Sequence, residues 1–191
     1  ANNVKIYQNS KNERGKGMQI AEIKSKFEEL NGLFRIIQEE KIIHRDLKLE
    51  NFLIKYTDKK KSEYIIKLCD YGIGKFKNQS NGLFSGLKGS NDTVAPEIVL
   101  EKTKKYENSV DIFSLGIILY QLSHNLKHPF GENYLQCGNA YINHYEKDNY
   151  IVEFDKSIKN KDFIDLVTKM IKLNPKNRLK WDVYFRHPFF S

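Results

Sequence analysis

The chain has 191 residues, enough for one domain around a single core and too few for two. Its 40% hydrophobic and 13% aromatic content is ordinary for a globular protein. No apolar run approaches the roughly 18 residues needed to span a bilayer, and no signal-peptide core precedes a small-residue cleavage site, so a membrane partner is not expected. The net charge of +8 comes from scattered lysines, with one tight run at Lys59-Lys60-Lys61. That pattern reads as a solvated surface and disfavours nucleic acid as a partner. Cys69 and Cys137 lie far apart without metal-ligand spacing, which implies reduced thiols and an intracellular, cytoplasmic location.

In chain order, Ala1 to about Gly17 is polar and aperiodic and reads as a loop or frayed edge. From Ile20 the apolar residues Ile23, Phe27, Leu30, Leu33, Phe34 and Ile37 recur at helical spacing, which predicts an amphipathic helix ending near Glu40. Short β-like runs follow at Ile42-Ile43, Phe52–Ile54 and Tyr64–Leu68. The last two flank the charged stretch Thr57–Glu63, as a hairpin would. Gly72 to about Ala95 reads as irregular.

Behind the cap candidates Asn108 and Ser109 comes the strongest helix, Val110 to Leu122, apolar almost all round and therefore buried on every side. Further helical patterns lie at Tyr141–Lys147, Lys161–Lys172 and Trp181–Arg186. The expected class is α+β, mainly helical, with one small hairpin sheet in the N-terminal half and a central buried helix.

Three ordered motifs carry chemistry. His44-Arg45-Asp46-Leu47-Lys48-Leu49-Glu50-Asn51 stands between a predicted helix and a predicted strand. Asp70-Tyr71-Gly72 follows the second hairpin strand, and Ala95-Pro96-Glu97 closes a span of 28 residues counted from Asp70 to Glu97. The first matches the H-R-D-L-x-x-x-N pattern of a phosphotransfer loop. Together they resemble the eukaryotic protein kinase family, Ser/Thr type, over Ile20 to Ser191.

The hairpin supplies a physical reason for the resemblance. Asn51 precedes one strand and Asp70 follows its antiparallel partner, which puts the two about 5 Å apart across the ladder. An amide oxygen and a carboxylate then converge, a donor pair suited to Mg²⁺. Asp46 in the adjoining loop would accept the proton of a substrate hydroxyl, and Lys48 would offset charge on the γ-phosphate.

The resemblance implies more. Leu53 would lie under the adenine of ATP, with Lys48, Asn51 and Asp70 completing the nucleotide-binding set. His44 would be a packing residue. Arg45 would meet a phosphate on the activation segment. Asp111 would hold the catalytic-loop backbone, and Glu97 would form a buried ion pair with Arg178. Ser90 occupies a position where Ser/Thr kinases ordinarily carry a threonine. Ser80, Ser85, Ser90 and Thr93 are candidate phosphosites, with Ser85 ranked first.

Departures from the family pattern are Tyr71 for Phe, Leu49 for a common Pro, and Asn91-Asp92-Thr93-Val94 where Pro and an aromatic residue are usual. No G-x-G-x-x-G loop and no V-A-I-K lysine occur in these residues. The whole chain, 1–191, is therefore expected to be the C-terminal lobe of a protein kinase. Its partners would be the ATP-covering N-terminal lobe, ATP with Mg²⁺, and a protein substrate, and the lobe alone should turn over little. The alternative is a non-catalytic kinase-like lobe that serves as a docking module in a larger assembly.

Overall fold

The computed structural model describes residues 4–5, 17–60, 63–69, 75–76, 93–99, 107–131 and 150–191. Helix α1 (Ile20–Glu39) turns Ile23, Phe27, Leu30, Phe34 and Ile37 inward at intervals of three or four residues, the spacing that lines up one helical face. It ends one residue before the expected Glu40. Lys41 then takes a left-handed backbone, φ 55°, and its N–H returns to the Gln38 carbonyl.

Strands β3 (Phe52–Tyr56) and β4 (Tyr64–Leu68) form the expected antiparallel hairpin, with Phe52 opposite Leu68 and Tyr56 opposite Tyr64. Their alternation places Phe52, Ile54, Ile66 and Leu68 on the buried face, where the Phe52 ring meets Phe27 of α1 at 6.2 Å. Leu53, Lys55, Ile65 and Lys67 occupy the opposite, more open face.

Two short strands correct the sequence reading. β1 (Val4–Lys5), in a stretch read as a loop or frayed edge, pairs antiparallel with β3 to give the order β1-β3-β4. β5 (Lys75–Phe76), within the stretch read as irregular, pairs with β2 (Ile42–Ile43) in a separate ribbon. A two-residue strand has no alternation to read; it exists because a neighbouring edge offers it hydrogen bonds. The predicted helix at Tyr141–Lys147 and the second cysteine, Cys137, lie outside the described residues.

Helices α2 (Pro96–Val99), α3 (Ser109–Ser123), α4 (Lys161–Met170) and α5 (Trp181–Tyr184) complete the architecture, which is mainly helical as expected. Every residue of α3 from Val110 to Leu122 is buried, so the helix is the axis of the core. Asn108 does not cap it. Its backbone is already helical (φ −63°, ψ −9°), and its side-chain amide donates instead to Gln38 Oε1 of α1 at 2.7 Å. By contrast Asn160 does cap α4, accepting the Phe163 N–H at 2.8 Å. At the C-terminal end Trp181 stacks near Phe34 of α1 at 5.5 Å, and Phe189 near Phe163 of α4 at 5.4 Å, closing the core. No helix among the described residues is long and apolar enough to cross a membrane.

The α3–α4 contact depends on Gly116. A Cβ built there would lie 2.8 Å from Met170 Cβ and 2.6 Å from Ile171 Cγ2. Helix propensity alone favours Gly→Ala by about 1 kcal/mol. Overpacking costs about 1–3 kcal/mol, and Met170 Cβ sits too close to its backbone to yield. Gly116→Ala is therefore expected to destabilise by up to about 2 kcal/mol in chemical denaturation; a more stable variant would mean the two helices are not in close contact.

Candidate active site

The loop 44–51 runs from β2 into a single 3₁₀ turn, Leu49–Asn51, that leads directly into β3. Leu47 and Leu49 are both sunk in the core, and Lys48 between them is extended (φ −152°, ψ 159°). In extended backbone, side chains two apart share a face. Burying the leucines thus turns Asp46 and Lys48 together to the other side.

The side chains meet there. Lys48 Nζ lies 2.7 and 2.9 Å from the two carboxylate oxygens of Asp46. Asn51 Nδ2 donates to the Asp46 carbonyl at 2.7 Å and to its carboxylate at 3.1 Å. Asn51 is only 5% exposed. Its carbonyl in turn accepts the Cys69 N–H at 2.9 Å, so the hairpin ladder reaches one step beyond β3 and β4 and brings the end of β4 against the loop. The next residue, Asp70, lies outside the described residues, as do Tyr71, Ser80, Ser85 and Ser90. Among the described residues no group of three His, Cys, Asp or Glu is arranged to hold a metal. Leu53 sits half-buried on the open face of β3, pointing away from Phe52 and Ile54.

The loop is held from α3. Asp111, 1% exposed, accepts the His44 N–H at 2.7 Å and the Arg45 N–H at 2.8 Å, one on each carboxylate oxygen. Arg45 is left-handed at φ 67°, a conformation that costs a non-glycine residue roughly 1–2 kcal/mol. Hydrogen bonds to a charged acceptor are worth about 1.5–3 kcal/mol each, enough to hold it. Burial pushes the Asp111 carboxyl up to about 6, and the two backbone N–H groups pull it only partly back. His44 is buried, and its Nδ1 faces the Asp46 N–H at 3.4 Å.

A second polar anchor ties together elements around α3. Arg178 and Glu97 form a two-pronged ion pair at 2.7 and 2.9 Å, both buried. Arg178 also donates to the carbonyls of Ser109, Lys172 and Leu173 at 3.0, 3.0 and 3.2 Å. A guanidinium has five N–H donors, and these five bonds use them all. Ala95-Pro96-Glu97, the start of α3 and the end of α4 are thereby tied to one side chain.

Two features escaped the sequence reading. Ser114, inside the apolar α3, donates to the Thr93 carbonyl at 2.7 Å, and a hydroxyl in so apolar a helix was the signal available for it. Thr93 itself is a poor phosphosite in this conformation: it is 7% exposed, and its hydroxyl already donates inward, to the Leu47 carbonyl at 2.7 Å.

Comparison with known proteins agrees with this architecture. The protein kinase domain family model matches residues 3–190, and the chain belongs to that family. It is 34% identical over 155 residues to the serine/threonine-protein kinase/endoribonuclease ire-1 of Caenorhabditis elegans, covering 78% of this chain and 15% of that protein. It is 32% identical over 160 residues to the serine/threonine-protein kinase ATG1b of Arabidopsis thaliana, covering 82% and 21% respectively. With the DNA damage response protein kinase DUN1 of Saccharomyces cerevisiae it shares 29% over 191 residues, covering 89% and 35%. The chain thus spans between 15% and 35% of the length of these relatives.

Two variants probe the anchors. In Asp111→Asn one N–H loses its acceptor at every pH, but the titrating group disappears. A carboxyl whose folded-state value is raised stabilises the fold below its unfolded value, 3.8, and that contribution is lost as pH rises through about 6. The stability of wild type relative to Asp111→Asn should therefore fall between about pH 4 and pH 7 in denaturant titrations; a flat or rising difference would refute the burial argument. Arg178→Lys keeps the charge but has three donors for five acceptor contacts. It should destabilise by about 3 kcal/mol or more, measured the same way, and a loss under about 1 kcal/mol would show that charge alone suffices.

Proposed function

We propose that this chain is the C-terminal, catalytic-loop lobe of an ATP-dependent serine/threonine protein kinase, which transfers the γ-phosphate of ATP to a protein hydroxyl. One observation carries the proposal: Lys48 and Asn51 converge on the Asp46 carboxylate within 3.1 Å, on a loop fixed at both ends. Phosphoryl transfer needs positioning and charge neutralisation more than covalent chemistry, and this cluster offers both.

In this reading Asp46 accepts the proton of the attacking hydroxyl. A carboxylate has about four lone-pair sites, and Lys48 and Asn51 engage three of them, which leaves room for one further donor. Lys48 offsets the charge that develops on the transferred phosphoryl group. Asn51 and Asp70 would hold Mg²⁺. With Nδ2 turned toward Asp46, the Asn51 side-chain oxygen is the atom left for a cation, and amide and carboxylate oxygens are the hard donors that magnesium takes. Bound magnesium supplies neutralisation of the phosphate charge. Leu53, on the open face of β3, would be the contact beneath the adenine ring.

Arg45 would receive a phosphate carried by the activation segment, with Ser85 the first candidate and Ser90 the contact to Asp46 and Lys48. Serine/threonine specificity is supported by Lys48 and by the ire-1 and ATG1b relatives, both named serine/threonine-protein kinases. The N-terminal lobe that covers ATP would be the lobe's obligatory partner.

The test is Mg²⁺-ATP binding and phosphate transfer to a peptide array by the longest native polypeptide, beside two variants. Asp46→Asn should lower kcat about 10²–10⁴-fold with ATP binding retained, and Asp70→Asn should lose magnesium-dependent ATP binding. Phosphate found only on tyrosine would remove the serine/threonine assignment. ATP bound without transfer would favour a docking module instead.

A further inference from the structure

We propose that Thr93 is a positioning residue for the catalytic loop, an inference that rests on the phosphotransfer reading of Asp46 and Lys48. It stands where the protein kinase family ordinarily carries an aromatic residue, in the segment leading to Ala95-Pro96-Glu97, so its hydroxyl is a feature of this chain.

The geometry is specific. Thr93 Oγ1 donates to the Leu47 carbonyl at 2.7 Å, in a bond that is buried at both ends. That carbonyl belongs to the peptide unit joining Leu47 to Lys48, midway between the carboxylate and the ammonium of the site. The Leu47 side chain is packed in the core at 1% exposure, so this residue is pinned on one side by apolar burial and on the other by the threonine hydroxyl. A rotation of the Leu47–Lys48 peptide would swing Lys48 away from Asp46, the contact now held at 2.7 Å. Packing alone does not prevent such a rotation, because apolar contact is not directional. A hydrogen bond in a dry interior does, since breaking it strands the carbonyl without a partner.

Thr93 is held in its turn. Ser114 Oγ directs its one proton to the Thr93 carbonyl at 2.7 Å, with the Val110 carbonyl a second, longer acceptor at 3.1 Å. Ser114 lies three residues after Asp111, on the same side of α3. The helix therefore grips the loop at two points: directly through Asp111 at His44 and Arg45, and through Ser114 and Thr93 at Leu47. The second grip passes through the segment that carries the candidate phosphosites, so a displacement of that segment would release the Leu47 carbonyl and loosen Lys48 against Asp46.

The experiment compares Thr93→Val, isosteric without the hydroxyl, and Thr93→Ser, which keeps it, in the longest native polypeptide. Amide hydrogen exchange across residues 44–51 is read alongside kcat and KM for ATP and a peptide. Thr93→Val should speed exchange in that segment about tenfold and lower kcat about tenfold, with the KM for ATP changed less than about twofold, and Thr93→Ser should restore both. Wild-type exchange in Thr93→Val overturns the proposal, and so does a Ser variant as impaired as Val, since methyl packing would then be the cause. Should Thr93→Val not fold, Ser114→Ala takes its place: faster exchange across 44–51 supports the clasp and unchanged exchange overturns it. Faster exchange in Thr93→Val beside a wild-type protein that transfers no phosphate would end the kinase reading and leave the clasp standing.

Discussion

A single carboxylate buried near the start of α3 sets the conformation on which the site depends. Asp111 is almost wholly withdrawn from water, and its two oxygens take the N–H groups of His44 and Arg45. That acceptor helps to hold Arg45 left-handed, because the steric penalty of that backbone is as large as a typical net hydrogen bond. Burying a charge is itself unfavourable, which is why the carboxyl is pushed up to about 6. The fold bears this expense because a neutral acceptor would hold the strained turn less firmly. Everything downstream in the loop starts from the direction in which Arg45 leaves that turn.

From there the loop is organised by alternation. Leu47 and Leu49 enter the core, so Asp46 and Lys48 emerge together, and the 3₁₀ turn that follows folds Asn51 back onto both the carbonyl and the carboxylate of Asp46. The hairpin then fixes Asn51 against Cys69. Apolar burial selects which side chains face the site, and polar contacts fix their distances. Each alone would be insufficient: leucines in a core tolerate small rotations, whereas a 2.7 Å bond between charged groups does not.

Much of this was legible in the residues. The hairpin was legible because β3 and β4 alternate and the charged stretch between them reads as a turn, although β3 runs two residues past the expected Ile54, to Tyr56. α3 was legible because it is apolar almost all round, and α1 because its apolar residues keep helical intervals. What could not be read depended on partners distant in sequence. β1 and β5 are two residues each and exist only by pairing with strands elsewhere in the chain. Asn108 looks like a helix cap locally, yet Gln38, 70 residues away, takes its amide. Thr93 looks like an exposed hydroxyl for modification until Leu47 is placed beside it. The candidate metal pair was half placed: Asn51 stands at the end of the ladder, while Asp70, one residue beyond Cys69, lies outside the described residues.

The distribution of buried polar groups explains why a helix as apolar as α3 carries Asp111 and Ser114 at all. Hydrophobic burial gives the core its stability but is indifferent to the angle at which a loop crosses it. Orientation must come from directional bonds, and inside a core these are safe only when every donor and acceptor is matched. Arg178 meets that condition with five donors and five acceptor contacts, Asp111 with two oxygens and two N–H groups, and Ser114 with a hydroxyl placed between two carbonyls. Two of these residues stand on α3 itself, and the third reaches its first carbonyl, at Ser109. The apolar helix α3 is therefore also a frame of reference: loops anchored to it share one coordinate system, and that is what allows an ammonium and an amide of one loop each to be held within 3.1 Å of the Asp46 carboxylate.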